Sequence, residues 1–121
     1  MELPYLSIII PVYNEERRLQ VALDELEQFS KSYPHMDYEV VFVDDGSTDN
    51  TKKLLEEHAQ KADNIRVLSY GRNLGKGYAV RCGMLESVGM YRLMADADMP
   101  TSLLEVERFL PSMKEGVPIL I

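Results

Sequence analysis

Apolar residues along the chain fall into short continuous runs that alternate with stretches of helical spacing. The runs occupy residues 6–12, 39–43, 65–69 and 91–95, and residues 118–121 would open a fifth. A continuous apolar run of this length is typical of a parallel strand that is buried on both faces. Strands that alternate with helices at this spacing predict right-handed crossovers. The predicted fold class is therefore α/β: one open, mainly parallel, doubly wound sheet with helices on both faces.

In the first stretch between two runs, apolar side chains recur every three or four residues, which is the spacing of a helix with one buried face: Leu19, Ala22, Leu23, Leu26 and Phe29. Helices are also predicted through Leu54 and Leu55, then through Ala79, Val80 and Met84, then through Leu103, Leu104, Phe109 and Leu110. Pro34 is expected to end the first helix. Ser47 or Thr48 is expected to cap the second, with Asp49 in its first turn.

Composition and charge narrow the class of protein. The 121 residues are 45% hydrophobic and 27% charged, which is ordinary for a globular domain. The chain has 20 acidic and 13 basic residues, so its net charge is −7. Nucleic acid is therefore not an expected partner, because its binding needs clustered Lys and Arg side chains. The single cysteine, Cys82, excludes an internal disulfide. No apolar run reaches the roughly 18 residues of a membrane-spanning helix.

Polar side chains follow the ends of the predicted strands. They are residues 11–15, Asp44 with Asp45, the glycine-rich turn 71–77, and Asp96 with Asp98. In an open parallel sheet, ligands bind beyond the carboxyl ends of the strands. Four carboxylates at neighbouring strand ends would repel one another unless a cation lies among them. The pattern therefore favours a hard divalent ion such as Mg²⁺ or Mn²⁺.

Asp96 and Asp98 are two residues apart in an extended segment, so both carboxylates can face one ion. The competing interpretation is a solvated turn before Pro100, and Asp44 and Asp45 could likewise belong to an ordinary Asp-Gly turn.

The glycine-rich turn 71–77 matches neither known phosphate-binding motif that it resembles. A Walker A loop has four residues between its first glycine and its Gly-Lys pair, and here three residues separate Gly71 from Gly75. A dinucleotide fingerprint needs a third glycine where Val80 stands. What remains is a helix N-terminus near Arg72, Lys76 and Arg81, which suits a diphosphate. An ordinary loop with solvated cations is the alternative.

Four blocks, taken in order, resemble the inverting glycosyltransferases of family 2, which have the GT-A fold. They are residues 8–15, 43–51, 73–84 and 96–98. The Gly-Lys-Gly of the third block followed by residues 94–98 is most similar to dolichyl-phosphate β-glucosyltransferases and their polyprenyl-phosphate relatives, with the mannosyltransferases next. The resemblance implies that residues 1–121 form the donor-binding part of one truncated GT-A catalytic domain, without a second domain.

The resemblance also implies roles for individual residues. The nucleotide-sugar site would comprise Pro11, Tyr13, Glu15, Val43, Asp45, Lys76, Arg81, Asp96 and Ala97. Within it, Tyr13 would lie against the base, and Asp45 would accept a hydrogen bond from the base edge. Asp98 would hold a Mg²⁺ or Mn²⁺ ion, and Asp96 would reach the ribose or a metal-bound water. Asp96 and Asp98 are therefore the expected catalytic and metal residues.

The implied reaction is metal-dependent, inverting transfer of a hexose from UDP-glucose, or GDP-mannose as second choice, to dolichyl or polyprenyl phosphate. The expected location is cytoplasmic, at the cytoplasmic membrane face in a longer parent. Because the acceptor half is expected after Ile121, one alternative is a nucleotide-binding fragment without turnover. Its open sheet edge at 118–121 would favour self-association. Another alternative is a phospho-receiver domain, although a receiver carries its acidic pair after the first strand.

Overall fold

The computed structural model describes residues 5–97, and these form a four-stranded parallel sheet with three helices. In chain order the elements are β1 (Leu6–Val12), α1 (Leu19–Ser32), β2 (Tyr38–Asp44), α2 (Thr51–Ala59), β3 (Ile65–Ser69), α3 (Lys76–Glu86) and β4 (Tyr91–Met94). The predicted α/β alternation is confirmed. The predicted helix after Pro100 and the strand at 118–121 lie outside the described residues. None of the three helices is long and apolar enough to cross a membrane.

The strand order β3-β2-β1-β4 places the point where the topology reverses between β1 and β4. The chain moves outward from β1 to β3, and α3 then crosses back so that β4 pairs with the other side of β1. A receiver domain has the order 2-1-3-4-5, in which β3 lies beside β1. The observed order contradicts the receiver alternative. A cleft is expected at the carboxyl ends of β1 and β4.

The core has two layers because successive strand residues point to opposite faces of the sheet. On one face, β1 and β2 pack against α1 and α2, and on the other face they pack against α3. Ile9 and Val43 lie on the α3 face, and a Cβ atom at Gly83 would approach the Ile9 side chain to 2.4 Å. Burial on both faces explains why β1 and β2 read as continuous apolar runs.

A buried polar cluster lies at the amino end of the sheet. The Glu39 carboxylate accepts hydrogen bonds from the Ser7 hydroxyl at 2.6 Å, the Val88 N–H at 2.7 Å and the Arg66 guanidinium at 3.1 Å. The Gly89 N–H donates to the Ser7 oxygen at 2.8 Å, and a Cβ atom at Gly89 would lie 2.5 Å from that oxygen. These bonds fasten the connection between α3 and β4 to the sheet.

The predicted start of α2 is wrong. The helix begins at Thr51, and neither Ser47 nor Thr48 caps it. Instead, the Asn14 N–H donates to the Ser47 hydroxyl oxygen at 2.9 Å, and the Thr48 N–H donates to the Asn14 side-chain oxygen at 2.8 Å. Asp49, expected in the first turn, precedes the helix and accepts from the Thr51 N–H at 2.9 Å. Ser47 and Thr48 thus bind the loop after β1 instead of capping α2, and Asp49 contacts the first residue of the helix.

Candidate functional site

A cleft of about 520 Å³ opens at the carboxyl ends of β1, β2 and β4. Seven of the residues predicted for the nucleotide-sugar site line it: Pro11, Tyr13, Glu15, Asp45, Lys76, Asp96 and Ala97. Val12, Asn73 and Gly75 complete the lining. The strand ends therefore bring together residues that are up to 86 positions apart in the sequence, from the first strand end to Ala97.

The loop after β1 is joined to the loop after β2. Asn14 has a positive φ of 50°, a conformation that Asn tolerates better than most residues, and it makes the two bonds to Ser47 and Thr48 described above. The Glu15 N–H donates to the Thr51 hydroxyl oxygen at 2.9 Å. These bonds hold Tyr13 and Glu15 on either side of Asn14 at the cleft. Sequence reasoning did not identify Asn14 as the residue that positions them.

Asp45 connects the end of β2 to the glycine-rich turn. Its side chain is almost fully buried, with 4% of the residue exposed. One carboxylate oxygen accepts from the Tyr70 hydroxyl at 2.5 Å and the Leu74 N–H at 2.8 Å, and the other accepts from the Gly75 N–H at 2.9 Å. A carboxylate has about four acceptor positions, so one remains on the oxygen that Gly75 contacts. Asp45 both organises the turn and lines the cleft.

Tyr70 contacts Asp45 behind the candidate site, and the sequence pattern did not single it out. Burial, followed by the hydrogen bond to Asp45 and the negative charge of that carboxylate, raises the pKa of Tyr70 well above its usual value. The hydroxyl therefore stays protonated at neutral pH and donates to Asp45. Its ring packs edge-on against Tyr78 at a centroid distance of 5.0 Å. Its position directly after β3, where polar side chains were expected, was the available signal.

The glycine-rich turn lies directly on Gly46. Gly46 has a φ of 74°, and a Cβ atom there would approach the carbonyl carbon of Arg72 to 2.2 Å. Gly75 precedes Lys76, the first residue of α3, so the last two residues of the predicted turn 71–77 belong to the helix. The expectation of a helix N-terminus at this turn is confirmed, and Gly46 allows the close approach.

Asp96 faces the cleft from the end of β4. The Ala95 N–H donates to the Ile9 carbonyl oxygen at 2.9 Å, so pairing with β1 continues to the residue before Asp96. The Lys76 ammonium lies 2.5 Å from the Asp96 carboxylate, and the two side chains are 57% and 40% exposed. Asp98 lies outside the described residues. Within residues 5–97, no group of three or more His, Cys, Asp or Glu side chains converges as a metal site.

Two predicted site residues do not line the cleft. Val43 is fully buried in the core beneath α3. Arg81 is an exposed residue in the middle of α3. The roles predicted for Val43 and Arg81 in the nucleotide-sugar site stay predictions.

Residues 7–120 match the model of glycosyl transferase family 2. The chain is 43% identical over 119 residues to human dolichyl-phosphate beta-glucosyltransferase, covering 93% of this chain and 37% of that protein. It is 37% identical over 116 residues to the protein of the same name from Saccharomyces cerevisiae, covering 92% of this chain and 35% of that protein. The chain therefore spans little more than a third of the length of these relatives.

Solved structures share the fold, and two of them illustrate the likeness. A mannosyltransferase from Pyrobaculum calidifontis, in complex with GDP-Man and Mn²⁺, has a TM-score of 0.68 at 27% identity, covering 81% of this chain and 28% of that one. S. aureus TarS 1–349, in complex with UDP-GlcNAc, has a TM-score of 0.70 at 29% identity, covering 89% of this chain and 31% of that one. The fold is that of the GT-A glycosyltransferases, and the chain belongs to glycosyl transferase family 2.

Proposed function

We propose that this chain is the donor-binding part of a metal-dependent inverting hexosyltransferase that uses UDP-glucose, with GDP-mannose as second choice. The observation that carries the proposal is the cleft at the carboxyl ends of β1, β2 and β4, which gathers seven side chains expected for a nucleotide sugar. The names of the relatives support a lipid-phosphate acceptor and a glucosyl donor.

The nucleoside would bind at the ends of β1 and β2. Tyr13 is 44% exposed at the cleft and offers a flat apolar face for a base to stack on. Asp45 is held rigidly by Tyr70 and the turn, and its remaining acceptor position suits a ring N–H. Uracil and guanine both present such a donor, so Asp45 alone does not select between UDP and GDP.

The diphosphate would bind between the start of α3 and the end of β4. The N–H groups of the first turn of α3, together with Lys76, favour an anion at this place. Arg81 would add positive charge from farther along the helix.

Asp96 fits a hard divalent cation, because it offers a half-exposed carboxylate at the cleft. Asp98 would be its partner ligand. Bound Mg²⁺ or Mn²⁺ would stabilise the negative charge that develops on a departing nucleoside diphosphate. The residues of this chain would hold the donor so that its anomeric carbon faces the acceptor.

The acceptor that we propose is dolichyl or polyprenyl phosphate. A phosphate monoester is already ionised near neutral pH, so its oxygen can attack the anomeric carbon with little need of a general base. The attack would come from the face opposite the leaving group, which inverts the configuration. We propose this transfer for a whole enzyme that contains the chain, at the cytoplasmic face of a membrane.

Asp44 and Asp45 allow a matched test of the nucleotide site. Asp44 is 1% exposed, and its carboxylate contacts the Ser47 N–H at 3.3 Å and the Ser69 hydroxyl at 3.4 Å, away from the cleft lining. Isothermal titration calorimetry would measure the affinity for UDP-glucose, UDP and GDP, each with and without Mn²⁺. Asp45→Ala should weaken binding by about 1–3 kcal/mol, and Asp44→Ala should weaken it less.

Circular dichroism melts of the same variants would show that each is folded at the titration temperature. Equal losses in the two variants would contradict the role of Asp45. A folded wild-type chain that binds none of the three nucleotides would contradict the proposed function.

A further inference from the structure

The charges in the cleft are unbalanced. Among the described residues that line it, Lys76 is the one cation, and three carboxylates accompany it: Glu15, Asp45 and Asp96. Glu15 forms an ion pair with Arg18 at 3.0 Å within its own loop. Asp45 accepts three hydrogen bonds from the turn and Tyr70. Lys76 is thus left to neutralise Asp96, the carboxylate that would contact a metal ion.

The contact between Lys76 and Asp96 is suited to exchange. Both side chains are substantially exposed, and solvent-exposed ion pairs contribute little to stability. The lysine ammonium is a compact charge on a flexible four-carbon stem. Lys76 is also the first residue of α3, so its side chain starts beside the N–H groups that would receive a phosphate.

We infer that Lys76 is an exchange residue that couples metal binding to nucleotide binding. Without ligands, its ammonium binds the Asp96 carboxylate at the place where a divalent cation would bind. When a cation and a nucleoside diphosphate bind together, the cation takes the carboxylate and the ammonium moves to a phosphate oxygen. The exchange deepens the proposed function and rests on it, because it requires a metal at Asp96 and a diphosphate near α3.

Each ligand alone meets an obstacle in this arrangement. A cation must displace the Lys76 ammonium and leave it without a counterion. A nucleotide alone adds negative charge next to Asp96 and must draw Lys76 away from it. When both ligands bind, each satisfies the group that the other releases, so their binding is cooperative and the coupling is reciprocal.

Lys76→Met tests the exchange because it removes the ammonium and retains much of the apolar stem. The electron paramagnetic resonance signal of free Mn²⁺ gives the affinity for Mn²⁺ alone, and calorimetry gives the affinity for UDP in saturating Mn²⁺. We expect Mn²⁺ alone to bind about two- to fivefold more tightly to the variant, as for loss of an exposed ion-pair partner. We expect UDP to bind about tenfold more weakly, since a charge-assisted hydrogen bond to phosphate is lost.

Lys52→Met is the control variant. Lys52 lies on α2 and pairs with Glu56 at 3.9 Å, and its side chain is 51% exposed, so this change removes a similar surface ammonium away from the cleft. Both affinities should match the wild type.

The two changes of opposite sign distinguish exchange from simple phosphate binding. If Lys76→Met weakens UDP binding and leaves the Mn²⁺ affinity unchanged or lower, the exchange is wrong and the proposed nucleotide site stands. If the wild-type chain binds neither Mn²⁺ nor UDP, the proposed function fails and the exchange fails with it.

Discussion

The amino and carboxyl ends of the sheet each contain a buried carboxylate and a closely packed glycine, but only the carboxyl end lines the cleft. Glu39 at the amino end and Asp45 at the carboxyl end are both buried carboxylates on or next to β2, 6% and 4% exposed. Each accepts a backbone N–H from one end of α3: Val88 follows the helix, and Gly75 precedes it. β2 therefore holds α3 at both ends through buried charge.

A glycine allows close approach at each end as well. A Cβ atom at Gly89 would collide with the Ser7 hydroxyl, and one at Gly46 would collide with the Arg72 backbone. The difference is that Asp45 lines the cleft, whereas Glu39 is enclosed by its protein partners. Burial and hydrogen bonding alone therefore do not identify a functional carboxylate. Changes at the amino end should alter stability only, and changes at the carboxyl end should also alter ligand affinity.

Glu39→Ala should have the largest effect on stability. It leaves the buried Ser7 hydroxyl and the Val88 N–H without their acceptor, a loss of about 2–4 kcal/mol, while Arg66 keeps its contacts with Glu86. Urea unfolding measures the change. Glu56→Ala on the exposed face of α2 is the control and should change the free energy of unfolding by less than about 0.5 kcal/mol. A Glu39 variant as stable as this control would show that the buried cluster does not fasten α3.

Gly46→Ala should affect both stability and binding. The positive φ of 74° strains an alanine, and its Cβ would force the Arg72 backbone to move, so we expect a loss of about 1–3 kcal/mol. Because the turn 71–75 moves with Arg72, UDP binding should weaken too. Gly89→Ala is the matching change at the other end, and its folded fraction should bind UDP like the wild type. If both variants lose UDP affinity equally, the two ends are not functionally distinct.

Gly77→Ala is the control for these two glycine changes. A Cβ atom at Gly77 would have no neighbour within 4 Å, and its φ lies outside the left-handed region that favours glycine. Stability should stay the same or rise slightly, because alanine favours a helix over glycine.

Acid should unfold the protein partly through Glu39. Burial alone raises the pKa of this carboxyl, but the hydrogen bonds from Ser7, Val88 and Arg66, with the Arg66 charge, hold the pKa below its usual value. The carboxylate therefore stabilises the fold fully above the unfolded-state pKa of 4.5, and this stability is lost as the pH falls through the lower folded-state pKa. Urea midpoints between pH 6 and pH 3, roughly spanning that window, should fall more in the wild type than in Glu39→Gln. Parallel curves would contradict this role.

Tyr70→Phe should have the smallest effect. It removes one of three donors to Asp45 and leaves the Leu74 and Gly75 N–H groups in place, so the free energy of unfolding should fall by about 1 kcal/mol. UDP binding should weaken modestly because Asp45 becomes less rigid. Tyr78→Phe, a change at a ring that is 46% exposed, should leave both quantities unchanged. A larger effect at Tyr78 than at Tyr70 would contradict the positioning of Asp45.

The sequence predicted the fold well where burial dictates the pattern. β1 and β3 have the predicted bounds. β1 is buried and pairs with a strand on each side, which explains its continuous apolar run, whereas β3 is only partly buried and pairs with β2. β2 is one residue longer at each end than its apolar run, since pairing with β1 extends to Tyr38 and Asp44. The start of α2 was mispredicted because Asn14 binds the expected cap residues from another loop.

The candidate site was predictable where it depends on strand ends, because parallel strands bring their carboxyl ends to one edge of the sheet. It was less predictable where a side chain depends on distant partners. Tyr70 carried no motif, and its role follows from a carboxylate 25 residues away. Arg81 lies roughly 7.5 Å along α3 from Lys76 at the usual helical rise, and its phosphate role stays a prediction.

The most direct test of the contrast between the two ends is a two-dimensional ¹H–¹⁵N NMR titration with UDP in the presence of Mg²⁺. Backbone amide signals report each end of α3 separately in one experiment. We expect the largest shifts at Gly75, Lys76 and Asp96, and little change at Val88 and Gly89. Equal or larger shifts at Val88 and Gly89 would contradict a nucleotide site at the carboxyl ends of the strands.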